Sequence, residues 1–469
     1  MIPSTLSCFL LAATWTLASP LSAAEDFRYD NTGFQASVLS PRADAAMTKW
    51  RQNRFGFFFH WGLYSVAGGE WKGKPYPGAA EWIKAYAGIS NADYEKMVQQ
   101  FNPTAYDPVK WAAMARSAGA RYVTITTKHH EGFCLWPSRY TDYSVASTPY
   151  QKDLLGPFVK AFNDAGIDVY FYYSIIDWHH PDYVSEIKNP GDQEKFDRYL
   201  AYMRNQLDEL LTTYPTVKGL WFDGQWEASN KTAASVRAGL ELEKHLREIK
   251  PGIILNNRLR VDSAGHLDRD NAGRHFGDFD SSYERKLPQR KSPAESIPFD
   301  WEACMTVPEN CWGYSKHWQG HLKTSDEILA MMANCTSLGG NFMLNFGPTE
   351  TGEIRDYEQK LAGEIGTWMK DNASSIIGCG SSGLAKQDWG YITRKETDPS
   401  FHLIVFNVPV SRTLTLQLGK NQTLESATWE GKALKIEKAY GDDWLIELGD
   451  HEPIRSAFVV ETKVSGATH

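Results

Sequence analysis

Between about residue 50 and residue 372, short uninterrupted apolar runs alternate with longer stretches whose apolar side chains return every three to four positions. The runs Phe55–His60, Tyr122–Lys128, Asp168–Ser174, Leu220–Asp223, Ile253–Asn257 and Asn341–Phe346 predict strands, with a further one at Trp301–Met305. The periodic stretches predict helices over Asp107–Ala118, Leu154–Ala165, residues 193–214, Thr232–Lys250, Ser325–Leu338 and Glu353–Asp371, several opening on a capping Asp, Thr or Ser. In residues 193–214, Phe196, Tyr199, Leu200, Met203, Leu207, Leu210, Leu211 and Tyr214 share one helical face. Strands that are apolar throughout and separated by helices belong to a parallel sheet covered on both faces. Seven or eight such units predict a (β/α) TIM-like barrel. An open doubly wound sheet is the alternative, but no Gly-rich phosphate turn follows the first strand.

Beyond Asn372 the period changes to two, at Leu403/Val405, Leu414/Leu416/Leu418, Trp444/Ile446/Leu448 and Phe458/Val460. That alternation predicts a small antiparallel β-sandwich, joined to the barrel by a flexible Gly/Ser segment from Gly378 to Gly383. At the other end, residues 1–24 carry no charged side chain, contain an apolar run from Phe9 to Leu17 and finish in Ser22-Ala23-Ala24, the pattern of a cleaved export signal. The expected organisation is a signal peptide 1–24, a barrel domain 25–372 and a β-sandwich domain 373–469. Such a protein is exported, to a periplasmic, secreted or lysosomal address set by its host. The apolar run is too short to span a bilayer and no later segment is long enough, so no membrane partner is expected.

Composition narrows the partners. Lys plus Arg number 49 against 57 Asp plus Glu, a formal net charge of −8 that argues against nucleic acid or an anionic membrane. With 42% hydrophobic and 23% charged residues the chain can bury a substantial core. Its 13% aromatic content suits a carbohydrate cleft, where rigid aromatic faces meet the C–H side of a sugar. Cys8 leaves with the signal, and Cys134, Cys304, Cys311, Cys335 and Cys379 are odd in number and irregularly spaced, neither a disulfide framework nor a zinc motif.

In a (β/α) barrel, reactive groups sit where the strands end. The first predicted strand ends in His60-Trp61-Gly62, and the second in Lys128-His129-His130-Glu131-Gly132-Phe133. The third ends in Tyr172-Tyr173-Ser174 followed by Asp177-Trp178-His179-His180, the fourth in Trp221-Phe222-Asp223-Gly224 and the fifth in Asn256-Asn257-Arg258. Polar and aromatic residues at one end of five strands point to one pocket. A metal site would need three or four ligands aimed at one point, yet there is no His-x-His or His-Glu-x-x-His. Adjacent strand residues also diverge, so His129 and His130 cannot chelate together unless the strand has bent. Hydrogen bonding to a polar substrate, without metal or cofactor, is expected instead, with His179 and His180 on the loop rim. Asp223 leaves an apolar strand beside an aromatic and suits a nucleophile, provided a second carboxyl lies about 5–5.5 Å away as retaining glycoside hydrolysis requires. Asp278, Asp280, Glu284, Glu295, Asp300 and Glu302 are the candidates, and spacing does not choose among them.

These strand ends, with Ala80-Glu81-Trp82 and Trp312-Gly313-Tyr314, strongly resemble in order and separation the α-L-fucosidases of glycoside hydrolase family 29. The resemblance implies a retaining, exo-acting α-L-fucosidase that cleaves terminal fucosyl linkages of oligosaccharides or glycoconjugates through a covalent fucosyl-enzyme. It further implies that Asp223 is the nucleophile, that His60, His129, His130, Glu81, Tyr172 and Trp221 contact the fucose, and that Arg258 orients the catalytic region. Trp312 would pack near the sugar's methyl face, and Trp61 and Trp82 would also lie around the sugar. Where the family shows Thr-Pro-Glu, this chain reads Asp278-Phe279-Asp280-Ser281-Ser282-Tyr283-Glu284. Aligning from Leu287-Pro288 puts the family's acid/base on Glu284, whereas aligning from Gly277 puts it on Tyr283. Glu284 is preferred because a phenol with a pKa near 10 is a poor acid at neutral pH. Glu302, in Trp301-Glu302-Ala303-Cys304, is the runner-up. The departure at this segment motivates one alternative, a catalytically silent fucose-binding protein on the same fold.

Overall fold

A parallel eight-stranded sheet forms the body of the structure, a computed structural model that describes residues 42–262, 267, 276–289, 297, 299–395, 397–398, 400–450 and 457–466. The expected signal peptide 1–24 and the candidate Glu295 lie outside the described residues. The strands are β1 Phe55–Phe59, β2 Tyr122–Lys128, β3 Asp168–Ser174, β4 Gly219–Asp223, β5 Ile254–Leu255, β6 Asp280–Glu284, β7 Trp301–Thr306 and β8 Asn341–Phe346. Their lateral order is β5-β4-β3-β2-β1-β8-β7-β6, so strands consecutive in the chain are neighbours. A parallel bridge between Asn256 and Phe279 brings the two end strands together, and the sheet curls into the predicted TIM-like barrel. Helices α2 Pro108–Ser117, α3 Leu155–Asp164, α4 Asp192–Thr213 and α5 Ala233–Ile249 follow β1 to β4, and α6 Ser325–Ser337 and α7 Asp356–Asn372 follow β7 and β8. Among the described residues no helix follows β5 or β6.

Strand β1 shows why apolar runs become barrel strands. Its outward Phe59 stacks on Trp111 of α2 and meets Phe158 and Phe162 of α3. Its inward Phe58 meets Tyr172 and Trp221 across the barrel. Burying each such ring contributes about 1.5–3 kcal/mol. Large interior rings need room on the neighbouring strand, and glycine supplies it. A Cβ on Gly56 would lie 2.6 Å from the Tyr122 ring, and one on Gly219 would lie 2.7 Å from the Tyr170 ring.

Two elements escape the periodicity argument. Helix α1, Ala45–Asn53, starts on a cap at Asp44 and sends Met47 and Trp50 into the barrel interior. Lys49 pairs with Asp168 and Arg51 with Asp300, which ties α1 to the ends where β3 and β7 begin. Strand β6 reads Asp-Ser-Ser-Tyr-Glu and has no apolar run. Side chains hold it instead: Asn256 Nδ2 donates to Ser281 Oγ at 3.0 Å, Ser281 N donates to Asn257 Oδ1 at 3.1 Å, and Asn257 Nδ2 donates to Asp280 Oδ1 at 3.1 Å.

After α7, strands β9 Cys379–Ser381, β10 Gly390–Lys395, β11 Phe401–Val405, β12 Thr413–Gln417, β13 Thr423–Trp429, β14 Lys432–Ala433, β15 Lys435–Lys438, β16 Asp443–Glu447 and β17 Phe458–Ser465 form two antiparallel sheets. The six-stranded sheet runs β9-β10-β11-β17-β13-β14 and the three-stranded one β12-β16-β15. Trp389, Phe401, Leu414, Leu416, Trp429, Trp444 and Ile446 fill the space between them. The Gly/Ser segment expected as a flexible joint is tied down. It contains edge strand β9, and the Arg54 guanidinium donates to the Cys379 carbonyl. Gly378 N also bonds the Gln52 carbonyl at 2.8 Å. The sandwich is thus anchored where β1 begins, at the end of the barrel opposite His60.

Candidate active site

At the C-terminal ends of the strands the predicted residues meet. Asp223, the last residue of β4, accepts from Tyr172 Oη at 3.0 Å through Oδ2 and from Arg258 Nη1 at 2.8 Å through Oδ1. The same Nη1 lies 2.5 Å from Glu284 Oε1 at the end of β6. One guanidinium nitrogen therefore bridges the two carboxyls and draws them into a single site, the pairing of carboxyls that retaining glycoside hydrolysis needs. Arg258 is itself held: Nη2 donates to the Ser281 carbonyl at 2.8 Å and its guanidinium lies 4.8 Å over the Trp221 ring. Burial works against the charge of this guanidinium, but its contacts with Glu284 and Asp223 outweigh that and raise its pKa above the ordinary value.

The other described carboxylates of this segment are engaged elsewhere. Asp278 is gripped by Arg42 and Arg247, Asp300 by Arg51, and Asp280 by Asn257 and the Ser282 amide. Tyr283 turns its ring onto Trp301, 5.1 Å between centroids, in the outer core. Glu284 alone among them reaches Arg258. Its pKa is raised, first by burial of the carboxyl and further by the Asp223 charge, against the pull of Arg258. A carboxyl whose pKa is raised beside a second carboxyl is the arrangement an acid/base needs.

The histidines line the same pocket. Strand β2 has a register shift between Thr126 and Lys128, so the chain has already bent when it reaches His129 and His130. Both rings therefore enter the pocket, 4.3 Å apart, although strand alternation predicts divergence. His60 lies 5.8 Å from His129 and 4.9 Å from the Trp312 ring. Burial pushes His60 and His130 down to about 3 and His129 well below its ordinary value, so all three imidazoles are neutral at pH 7. Trp82 meets His130 edge-on at 5.0 Å, and Trp221 stacks on Tyr172 at 5.6 Å. Glu81 Oε2 accepts from the Trp312 and Gly313 amides at 3.2 and 2.9 Å while Oε1 is buried without a partner, and burial raises its pKa to about 7. Trp61 is not in the pocket: it is buried among Phe101, Tyr106 and Trp111 outside the barrel wall. His179 stacks on Tyr143 and meets Glu95, and His180 packs on Tyr202, both on the rim. Among the described residues no group of three His, Cys, Asp or Glu side chains could hold a metal ion.

Several residues brace the side chains of the pocket. Lys128 is fully buried and donates to Asp177 at 2.9 Å, and Asp177 in turn accepts from the His179 and His180 amides, fixing the loop that presents Trp178. Glu131 accepts from the Leu63 and Tyr64 amides and the Tyr94 hydroxyl, fixing the loop after β1. Lys128 and Glu131 thus brace the two histidines between them from either side. Asn345, in a strand otherwise apolar after its first residue, and Ser174 bond His60 and His130 at 2.6 Å each. A polar residue in the last two positions of a barrel strand is the signal that finds both.

Glu302 lies beneath the site, accepting from Tyr122 Oη at 2.6 Å and Trp221 Nε1 at 3.2 Å. Burial pushes its carboxyl up to about 7 despite these donors. A folded-state value above the unfolded one means that folding takes up a proton, so this group costs stability as pH rises from about 4.5 to about 7. Glu302→Gln has no such titration. Relative to the wild type, its unfolding free energy is expected to improve across that window by on the order of 3 kcal/mol and to level off above it. Denaturant unfolding of both proteins at several pH values checks this, and a difference that does not change with pH contradicts it.

A barrel pocket in which one arginine bridges two carboxyls, one of them with its pKa raised, is the arrangement of a glycoside hydrolase. The chain belongs to the α-L-fucosidase family, whose model matches residues 22–374. Tissue α-L-fucosidase of Mus musculus is 30% identical over 366 residues, which cover 73% of this chain and 76% of that one. The crystal structure of an α-L-fucosidase of glycoside hydrolase family 29 from Bacteroides thetaiotaomicron aligns with a TM-score of 0.88 and 45% identity, over 91% of this chain and 96% of that one. A second structure from that organism is a trapped covalent intermediate with 2-fluoro-fucosyl fluoride, at 44% identity and a TM-score of 0.88 over 91% and 97% of the two chains.

Proposed function

We propose that the protein is a retaining, exo-acting α-L-fucosidase that removes terminal α-L-fucosyl residues from oligosaccharides or glycoconjugates. The reading rests on one observation, the shared grip of Arg258 on Asp223 and Glu284. Asp223 attacks the anomeric carbon while Glu284 gives its proton to the departing glycosidic oxygen. Glu284 then takes a proton from water, which attacks the same carbon and releases Asp223 with the original configuration. A 6-deoxy sugar offers hydroxyls and a methyl group. The neutral imidazoles of His60, His129 and His130 with Glu81 suit the first, and Trp312 and Trp82 the second. The covalent intermediate trapped in the bacterial relative supports the two-step course.

Export through a signal peptide 1–24, and division of the chain into a catalytic barrel 25–372 and a C-terminal sandwich 373–469, belong to the same proposal. In support, α7 ends at Asn372 and the next strand opens at Cys379. Among the described residues no helix is long and apolar enough to cross a membrane.

Proton NMR of the first minutes of aryl α-L-fucoside hydrolysis tests the reading. α-L-Fucose is expected as the first product, turning to the β anomer only by mutarotation. β-L-Fucose appearing first contradicts retention, and no turnover at all favours the silent binding protein.

A further inference from the structure

Two pocket histidines have one ring nitrogen in a short hydrogen bond whose direction their neighbours dictate. Asn345 donates Nδ2–H to the Trp312 carbonyl at 2.8 Å, which turns its Oδ1 toward His60 Nδ1, 2.6 Å away. An amide oxygen only accepts, so the proton of that contact is on His60 Nδ1. Ser174 constrains His130 in the same way. Its hydroxyl lies 2.7 Å from the Ile176 carbonyl and 2.6 Å from His130 Nδ1. The hydroxyl has one proton and the carbonyl has none, so both contacts are satisfied only if the hydroxyl donates to Ile176 and the imidazole donates to the hydroxyl. Both rings are neutral, so each Nε2 is left as a bare lone pair. Among the described residues neither Nε2 has a hydrogen-bond partner. That of His130 stands 3.6 Å from Asp223 Oδ2, beyond hydrogen-bond range.

We propose that Asn345 and Ser174 are positioning residues that lock His60 and His130 as Nδ1–H tautomers, so that the pocket selects sugar hydroxyls able to donate at two positions and rejects groups that only accept there. The inference rests on the fucosidase reading of the same pocket. A hydroxyl or an amine supplies the proton that Nε2 lacks, whereas a fluorine brings a second lone pair against it. Discrimination then arises from a frozen proton position, with shape left unchanged.

The test is calorimetric binding of L-fucose and its 2-, 3- and 4-monofluoro analogues to the wild type and to Asn345→Ala, Ser174→Ala and Ser174→Thr. In the wild type, fluorine at the positions facing the two rings is expected to weaken binding by about ten-fold or more, the cost of an unpaired polar contact. Each alanine variant frees its imidazole to carry the proton on Nε2, and the fluorine penalty at that position falls to less than about three-fold. Ser174→Thr keeps the hydroxyl and the wild-type ratio. Loss of structural support would weaken sugar and fluoro-sugar alike, so a ratio unchanged in both alanine variants, with normal L-fucose binding by the wild type, overturns the proposal. A neutron map with deuterium on Nε2 of His60 and His130 in the wild type overturns it independently of any variant. Failure of the wild type to bind L-fucose overturns the functional reading, and this inference with it.

Discussion

Asp223→Gly is expected to lower kcat on both an aryl α-L-fucoside and a fucosylated disaccharide by at least about 10,000-fold, because no other group is placed to form the covalent intermediate. Tyr172 and Arg258 hold both oxygens of this carboxylate in place through contacts of 3.0 and 2.8 Å. The deletion spares the fold, since Arg258 keeps Glu284 and the Ser281 carbonyl as partners. The melting temperature should therefore stay close to that of the wild type, and lost activity cannot be blamed on unfolding. Azide fits the space vacated by the carboxylate and attacks from the same face. Added azide is expected to restore turnover of the aryl substrate and to yield β-L-fucosyl azide, the inverted product of a single displacement. Undiminished activity in the variant, or an α-configured azide product, removes Asp223 from the role.

How much of this was legible beforehand depends on what held each element. Strands β1 to β4, β7 and β8 are stabilised by apolar side chains packed on both faces, and burial of that kind leaves continuous runs in the sequence. Strand β6 is stabilised by amide and hydroxyl contacts to Asn256 and Asn257, which leave no period to read, and it carries the proposed acid/base. Helix α1 is betrayed only by its Asp44 cap, because just two of its side chains, Met47 and Trp50, enter the barrel interior. Within the site, the residues at strand ends were found by their chemistry. Trp61 was misplaced because a strand-end aromatic can face either side of the wall, and the core beside Trp111 accepts it. The joint entry of His129 and His130 depends on a one-residue register shift, the bend that alternation leaves open and does not locate. Asn345 and Ser174 act on the histidines, and the resemblance gave neither of them a role.

Glu284→Ala is expected to produce a loss that depends on the leaving group, and this dependence separates Glu284 from Tyr283 and Glu302. A disaccharide needs its glycosidic oxygen protonated, so kcat/KM on it should fall by about 100- to 10,000-fold. A dinitrophenyl α-L-fucoside needs no acid. Its first step should be nearly unimpaired, while hydrolysis of the fucosyl-enzyme slows for want of a base, so that kcat and KM fall together. Azide attacks that accumulated intermediate from the side the aglycone left and is expected to give α-L-fucosyl azide, opposite in configuration to the product from Asp223→Gly. The pH profile follows from the same contacts. Burial and the Asp223 charge raise the Glu284 pKa, which moves the alkaline limb of kcat/KM to higher pH than an ordinary carboxyl would give. Once Asp223 is esterified its charge is gone, the attraction of Arg258 remains, and the same carboxyl falls in pKa and can serve as the base. The alkaline limb should therefore vanish in Glu284→Ala and survive in Glu302→Gln, whose carboxyl faces Trp221 and Tyr122 from beneath the pocket. Equal losses on the disaccharide and the dinitrophenyl substrate in Glu284→Ala would place the acid elsewhere, and Glu302→Gln showing the leaving-group dependence instead would place it there.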